Sequence, residues 1–418
     1  MRVRVVVPVL ALVAGLFLIP ARSAQQVKGF QAKVKVGGPT RIDWTFAVAN
    51  KSLDKTPANW LPGDYDSAKQ QYDLFVPPTY NAKQSYPVVV FINAGDGPAG
   101  WPQWEPACKQ HGIIFASPYG AGNNVDLKKR VRIVLDVLDD IRRNYNTDPD
   151  RTYTSGFSGG GRIAGHIAFS LPEYFGGTVP VCATGDFRDE TWMQHRMIDR
   201  LSVALVTGES DFNRGECERY KTLWMTEVGV RTKVWVVPKL GHGVPGGATL
   251  GEVFAWLEEG LPKRRELAKK YPAMHVLGDT APSRADLAGA ILAEGKQRLQ
   301  AKETVYPGLM MLLGCAIRWG DLPAGAEAAK LVKEYDAKTE KPWDEEHNDF
   351  ERRNALGRAR GLDAYASGPL AGEYAKQRPA MAKAALELYG RLLQDGKYAK
   401  GVEEAKKRIP EMEKLLKQ

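Results

Sequence analysis

The stretch Arg151–His166, RTYTSGFSGGGRIAGH, constrains this chain more than any other. A β-prone run, Arg151-Thr152-Tyr153-Thr154, enters Gly156-Phe157-Ser158-Gly159-Gly160, and a run of small residues from Gly160 to Phe169 leaves it with helical character. This is Gly-x-Ser-x-Gly between a strand and a helix, the context that makes the pattern informative. A serine on so sharp a turn is held in a strained backbone conformation. Glycines two residues before and after remove the Cβ atoms that would collide. The helix that follows aims its first N–H groups at the serine oxygen. Ser158 is therefore the candidate nucleophile; the plain alternative is a glycine-rich turn without chemistry.

The remaining apolar runs place that turn in a sheet. Val88-Val-Val-Phe-Ile92 is apolar throughout, as a strand covered on both faces requires, and opens into the glycine-rich loop Asn93–Gly100. Strands are expected at Phe30–Val36, Arg41–Val48, Tyr72–Val76, Ile113–Ser117, Thr152–Ser155, Gly177–Cys182, Ser202–Thr207 and Lys233–Val237. Helices are expected at Pro106–His111, Val131–Asn144 and Gly251–Glu259. This alternation implies an α/β fold with a mostly parallel sheet, helices on both faces and functional residues at the carboxyl ends of strands. Three candidates meet that test. Ser158 follows one strand, Asp211 lies directly after Ser202–Thr207, and His242 sits between Gly241 and Gly243 after Lys233–Val237.

The chemistry explains the residue types. A serine hydroxyl is a weak nucleophile until a histidine accepts its proton, and a carboxylate fixes the tautomer of that histidine. The order Ser, Asp, His along the chain is that of an α/β-hydrolase triad. Asp186 and Asp189 compete with Asp211, because they too follow a strand. His166, two turns along the helix after Ser158, reads as structural. The N–H groups of Gly159 and of Ala94 or Gly95 are the candidate oxyanion donors. Asp96 would repel an oxyanion and should point away. Trp101, Trp104, Trp192 and Phe212 are candidate pocket residues, with core packing as their alternative. Arg188 and Arg214 read as solvated loop charges.

Here a resemblance becomes specific. YDLFVPPTYNAKQSYPVVVFINAGDG and YNTDPDRTYTSGFSGGGRIA are similar to passages of the α/β-hydrolase esterases of the polyhydroxybutyrate depolymerase and feruloyl esterase type, and Tyr72–Gly247 resembles that family. The resemblance implies the α/β-hydrolase fold and serine carboxylic-ester hydrolysis through an acyl-enzyme, without cofactor or metal. One departure stands out: Asn93-Ala94 replaces the family's usual His-Gly. A peptidase on the same fold is the enzymatic alternative. An inactive hydrolase-like domain serving as a binding module is the other.

Domain organisation follows from composition. The chain has 418 residues, 44% hydrophobic and 26% charged, enough for two sizeable cores. Its net charge of +9 is dispersed among acidic neighbours, which argues against nucleic acid as a partner. Met1–Ala24 reads as a signal peptide: Arg2 and Arg4, an apolar stretch to Pro20, then small residues. A secreted or periplasmic protein without stable membrane insertion is therefore expected. Residues 25–261 would form the catalytic domain, 262–282 a linker, and 283–418 an α-helical domain with a possible protein partner. Its helices are expected at Arg284–Gln300, Pro307–Trp319, Pro323–Ala337, Asp344–Ala359, Ala380–Leu393 and Ala399–Arg408. Gly320–Glu327 and Gly396–Glu403 resemble each other as tetratricopeptide repeats would, but at an offset that is not a multiple of that repeat. Cys108, Cys182, Cys217 and Cys315 allow disulfides or buried free thiols; Cys182 ends one apolar run and Cys217 follows the next, so these two could meet.

Overall fold

The computed structural model describes residues 27–48, 63–270, 282–341 and 343–417. The expected signal peptide lies outside these residues. Eight strands form one sheet: β1 (Gly29–Lys35), β2 (Gln71–Val76), β3 (Tyr86–Ile92), β4 (Ile114–Pro118), β5 (Thr147–Phe157), β6 (Gly177–Val181), β7 (Ser202–Gly208) and β8 (Arg231–Val237). Their order is β1-β2-β4-β3-β5-β6-β7-β8. The β1–β2 and β2–β4 pairings are antiparallel and the others parallel. Five helices accompany the parallel strands: α1 (Trp101–His111), α2 (Leu127–Asn144), α3 (Gly159–Ser170), α4 (Thr191–Arg200) and α5 (Thr222–Val228). Helix α6 (Gly247–Glu259) follows the last strand. The fold is that of the α/β-hydrolases.

The unbroken apolar run of β3 has its reason in the layers. Val88, Val90 and Ile92 enter one core with α2, α3 and α4, whereas Val89 and Phe91 enter a second core with α1 and α6. A strand buried on both faces has no polar face to present.

The expected strand Arg41–Val48 is absent. Thr45–Val48 forms a 3-10 turn instead. The backbone N–H groups of this region go to the carboxylates of α2: Gly37 donates to Asp140 (2.9 Å), Thr40 to Asp136 (2.7 Å) and Arg41 to Asp139 (2.8 Å). Side-chain acceptors thus satisfy groups that a strand would pair with a neighbour. Alternation of Ile42, Trp44 and Phe46 reflects burial against α2 and α3, not pleating.

Leu261–Lys270, expected to open a linker, is helix α7. Its Arg264 is buried and donates to Asp150 O, Ser202 Oγ, Tyr153 Oη and Leu257 O, which ties α7 to the sheet. Residues 271–281 lie outside the described residues. Beyond them come α8 (Arg284–Arg298), α9 (Val305–Arg318), α10 (Pro323–Asp336), α11 (Asp344–Ser367), α12 (Gly372–Ala375), α13 (Arg378–Asp395) and α14 (Ala399–Leu416). The helical third does not stand apart. Ile291, Leu309, Leu312 and Trp319 join one continuous apolar cluster with α4 and the sheet, while α11, α13 and α14 enclose a smaller core of their own.

Candidate active site

Strand β5 delivers Ser158 to the rim of the sheet. Its backbone has φ 54° and ψ −119°, a region that a residue with a Cβ occupies only under strain. The Ser158 N–H donates to Val181 O at 2.8 Å and fixes the turn against β6. The flanking glycines are sterically required. A Cβ at Gly156 would lie 2.6 Å from Gly160 and from Ile92 O, and one at Gly160 would lie 2.0 Å from Ile92 O.

The structure brings together the three side chains that follow strands. His242 Nε2 lies 2.9 Å from Ser158 Oγ, and Nδ1 lies 2.7 Å from Asp211 Oδ1. The Asp211 side chain is fully enclosed, and its second oxygen accepts from Thr207 Oγ1 at 2.6 Å. The Asn213 N–H donates to Asp211 Oδ1 at 3.0 Å. Burial alone would raise the Asp211 pKa. Hydrogen bonds from Thr207, His242, the Asn213 N–H and Cys182 overcome it and hold the carboxyl below its usual range. An ionised carboxylate at Nδ1 places the imidazole proton there and leaves the Nε2 lone pair facing the serine O–H. The rings of Phe157 and Phe212 lie 4.9 and 4.0 Å from the imidazole, centre to centre, and restrict its rotation.

Hydrogen bonds hold the loop after β3, among them one from the Ala99 N–H to Ser117 Oγ (3.0 Å). Asn93 Nδ2 donates to Gly97 O (2.9 Å), Gly120 N to Asp96 O (2.7 Å) and Asn123 N to Ala94 O (2.8 Å). Among the described residues, the N–H groups of Ala94, Gly95 and Gly159 have no protein partner. Asp96 is exposed. The amide of Asn123 rests on Gly159, where an added Cβ would come within 1.8 Å of Asn123 Oδ1.

No family model matches the chain. No curated protein matches it either. Part of it is similar to solved structures. A thermostable esterase shares 23% identity over 46% of this chain and 59% of its own, with a TM-score of 0.36. An S-formylglutathione hydrolase from Staphylococcus aureus shares 12% identity over 46% of this chain and 92% of its own (TM-score 0.36). A ferulic acid esterase shares 16% over 46% and 92% (TM-score 0.37). The chain thus spans about 59% of the length of the first of these. Likeness at this level says nothing about substrate, and the chemistry rests on the residues of this chain.

Of the candidate pocket residues, only Phe212 lies at the triad. Trp104 is fully buried in the core beneath α1 and α6. Trp192 packs between Phe46 and Gly314 in the core shared with the helical third. Neither can face a substrate. Trp101 stacks on Phe30 of β1 and packs at a tilt against Phe75 of β2 and Phe115 of β4. Each of the three tryptophans packs into an apolar cluster, Trp101 and Trp104 with α1 and α6 and Trp192 with the helical third. Asp186 and Asp189 are exposed. His166 contacts Ala47 O and is half-buried. Arg188 pairs with Glu190, and Arg214 with Glu218.

Sequence reasoning missed Thr207, Asn213 and Asn123. Asn213 lies two residues past Asp211, the spacing at which an aspartate receives a backbone N–H, and that spacing is a readable signal. Nothing in the sequence marks Thr207 or Asn123.

All four cysteines are buried and free, so Cys182 and Cys217 are not paired with each other. Cys182 has φ 56° and donates to Gly243 O at 3.4 Å. Its sulfur and one ligand atom each of Asp211 and His242 lie within 4.8 Å of one another, a grouping that could be read as a metal site. The donor set argues for protons instead. Burial, then the Asp211 charge, push the Cys182 thiol up to about 12, so it is a thiol rather than a thiolate ligand. The 2.7 Å Nδ1–Oδ1 gap is filled by one hydrogen.

Among the described residues, no helix is long and apolar enough to cross a membrane.

Proposed function

We propose that this protein is a serine carboxylic-ester hydrolase that works through an acyl-enzyme. The observation that supports the reading most is the continuous chain Ser158 Oγ–His242 Nε2, His242 Nδ1–Asp211, with 2.9 and 2.7 Å contacts, ending on a strained serine at a helix N-terminus. Ser158 Oγ attacks the ester carbonyl while Nε2 takes its proton. The negative oxygen of the tetrahedral intermediate is received by the N–H groups of Gly159 and of Ala94 or Gly95, each worth roughly 3–4 kcal/mol of barrier. The alkoxide leaves with the proton from Nε2. Water then enters, gives its proton to Nε2, and releases the acid by the same path in reverse. Asp211 remains ionised throughout and stabilises the imidazolium. No step calls for a metal or an organic cofactor.

The Asn93-Ala94 departure from the family pattern is compatible with this reading. The Asn93 amide bonds Gly97 O and braces the loop from within, and a backbone N–H donates whatever side chain it carries.

The test is covalent. A fluorophosphonate should label wild-type protein at Ser158, and p-nitrophenyl butyrate should be hydrolysed. Ser158→Ala should lose both, with a rate loss of at least about 10⁴-fold. Labelling at another residue, or a butyrate rate unchanged in Ser158→Ala, would refute the assignment. Export rests on Met1–Ala24, and N-terminal sequencing of the mature protein checks it: a start at Ala24 or Gln25 is expected, and an intact Met1 refutes cleavage.

A further inference from the structure

The loop after β4 lies against both halves of the proposed oxyanion site. The Gly120 N–H donates to Asp96 O at 2.7 Å, and the Asn123 N–H donates to Ala94 O at 2.8 Å. Arg130 Nε of α2 donates to Ala121 O at 2.8 Å, and a turn closes from the Val125 N–H to Gly122 O at 3.1 Å. Gly122 makes this close approach possible. A Cβ there would strike the Asp96 carboxylate and come within 2.8 Å of the Gly95 carbonyl carbon. The backbone of residues 120–125 is thus fixed against the loop after β3 before any substrate arrives.

From this frame the Asn123 side chain crosses to the turn that carries the serine. Its carboxamide fills the place that a side chain on Gly159 would take, with Nδ2 2.9 Å from that Cβ position. A Cβ lies about 2.5 Å from its own backbone nitrogen, so Nδ2 is at most about 5.4 Å from the Gly159 nitrogen. One oxygen that accepts at about 2.9 Å from each of two nitrogens can bridge a gap of up to about 5.8 Å. Asn123 is exposed, and among the described residues its carboxamide has no hydrogen-bond partner.

We propose that Asn123 is a third donor at the oxyanion site. Its Nδ2 donates to the oxygen of the tetrahedral intermediate, beside the Gly159 N–H and the N–H of Ala94 or Gly95. The assignment rests on the ester-hydrolase reading. It also accounts for the glycine at position 159, which gives up a side chain of its own so that an amide from another loop can stand there.

The Asn123 N–H holds the loop whatever side chain the residue carries, so replacing that side chain tests the donor apart from the loop. Asn123→Ala should lower kcat for p-nitrophenyl butyrate about 100-fold, with KM within about 3-fold. Asn123→Leu keeps the volume without the donor and should lose as much. The decisive readout is the ratio of kcat/KM for this ester to that for its thionoester, in which sulfur replaces the carbonyl oxygen. Sulfur is a poor acceptor, so the ratio should shrink about 10-fold in both variants. Asn124→Ala, at an exposed neighbour, should keep the wild-type rate and ratio. Melting temperatures verify folding of each variant. A wild-type kcat in Asn123→Ala and Asn123→Leu overturns the donor. So does a loss shared equally by ester and thionoester, which would make Asn123 a structural support only. If the wild-type protein neither hydrolyses the butyrate nor reacts with a fluorophosphonate, the ester-hydrolase reading has failed and the donor falls with it.

Discussion

Two fully buried carboxylates, Asp211 and Glu173, show how similar surroundings produce different outcomes. Asp211 meets a histidine, a threonine hydroxyl and a backbone N–H, and its histidine opens onto the rim of the sheet. Glu173 meets Arg318 from α9, with Arg196 Nη2 at 3.5 Å. Arg318 also lies 3.6 Å from Asp43, which accepts from Trp319 Nε1 at 2.9 Å. Each carboxylate is desolvated and stabilised by donors. The Asp211 partner is a titratable ring that ends on a strained serine, whereas the Glu173 partner is a guanidinium that cannot give up its proton. One arrangement has the geometry of a proton relay. The other joins the helical third to the sheet.

The comparison predicts a double dissociation. Asp211→Asn should lower ester kcat by roughly 10⁴-fold, since the wrong imidazole tautomer would face the serine. Its unfolding free energy should fall by only about 1–2 kcal/mol: the amide oxygen still accepts from Thr207 Oγ1, while the NH2 group turned to His242 Nδ1 leaves the Asn213 N–H without its acceptor. Arg318→Met should do the reverse. It breaks the buried Glu173–Arg318 pair, leaving Glu173 with Arg196 at 3.5 Å, and takes one of its cationic neighbours from Asp43, which costs about 3–5 kcal/mol in urea unfolding. Activity per folded molecule should stay near wild type. If Arg318→Met destroys activity without destabilising the fold, the two sites are not separate in the way their partners suggest.

The same contrast explains what could be read in the sequence. Residues with chemistry at a strand's end were legible because the sheet itself dictates where such residues gather. Ser158, Asp211 and His242 each follow a β-prone run, and the α/β layering is visible in Val88–Ile92. Contacts across the seam were not legible. Trp192 is as apolar as a pocket residue would be, and only the arrival of Gly314 and Phe46 against it shows that it is core. Arg41–Val48 alternates like a strand, but three aspartates of α2 supply acceptors to this region from far along the chain. Tyr374 of α12 lies in a segment with no motif, and its proximity to Phe212 exists only after the helices have packed.

The seam carries a second titratable group that sharpens the contrast. His195 of α4 contacts Tyr306 Oη at 3.2 Å, which contacts His347 Nδ1 at 3.1 Å, and its ring packs on Phe350. Burial first, then the charges of Arg353, His347 and Arg298, lower its pKa to about 4. The folded state therefore prefers a neutral ring, while the unfolded chain protonates near pH 6.5. Its contribution is fully present above about pH 6.5 and is lost as pH falls toward 4, a decline of about 3 kcal/mol. Denaturant melts across this window should show the loss, and His195→Gln should flatten it. A wild-type curve equal to that of the variant would mean that the seam does not hold His195 neutral.

The smallest expected effect tests whether Cys182 belongs with the triad or with the core. Its thiol is buried, protonated and placed beside Asp211, yet Thr207 and the Asn213 N–H already supply that carboxylate with close donors. A sulfur donor is weak, and one donor among several contributes little that the others cannot replace. Cys182→Ser keeps a donor on the same strained backbone with a smaller atom, so kcat should stay within about 3-fold and stability within about 1 kcal/mol. Cys182→Ala should behave alike in rate, because the carboxylate keeps its oxygen and nitrogen donors. A loss approaching that of Asp211→Asn would instead make the thiol the donor on which the orientation of Asp211 depends. Thr207→Val would then be the milder variant, and the account of the carboxylate given by its shortest hydrogen bond would be reversed.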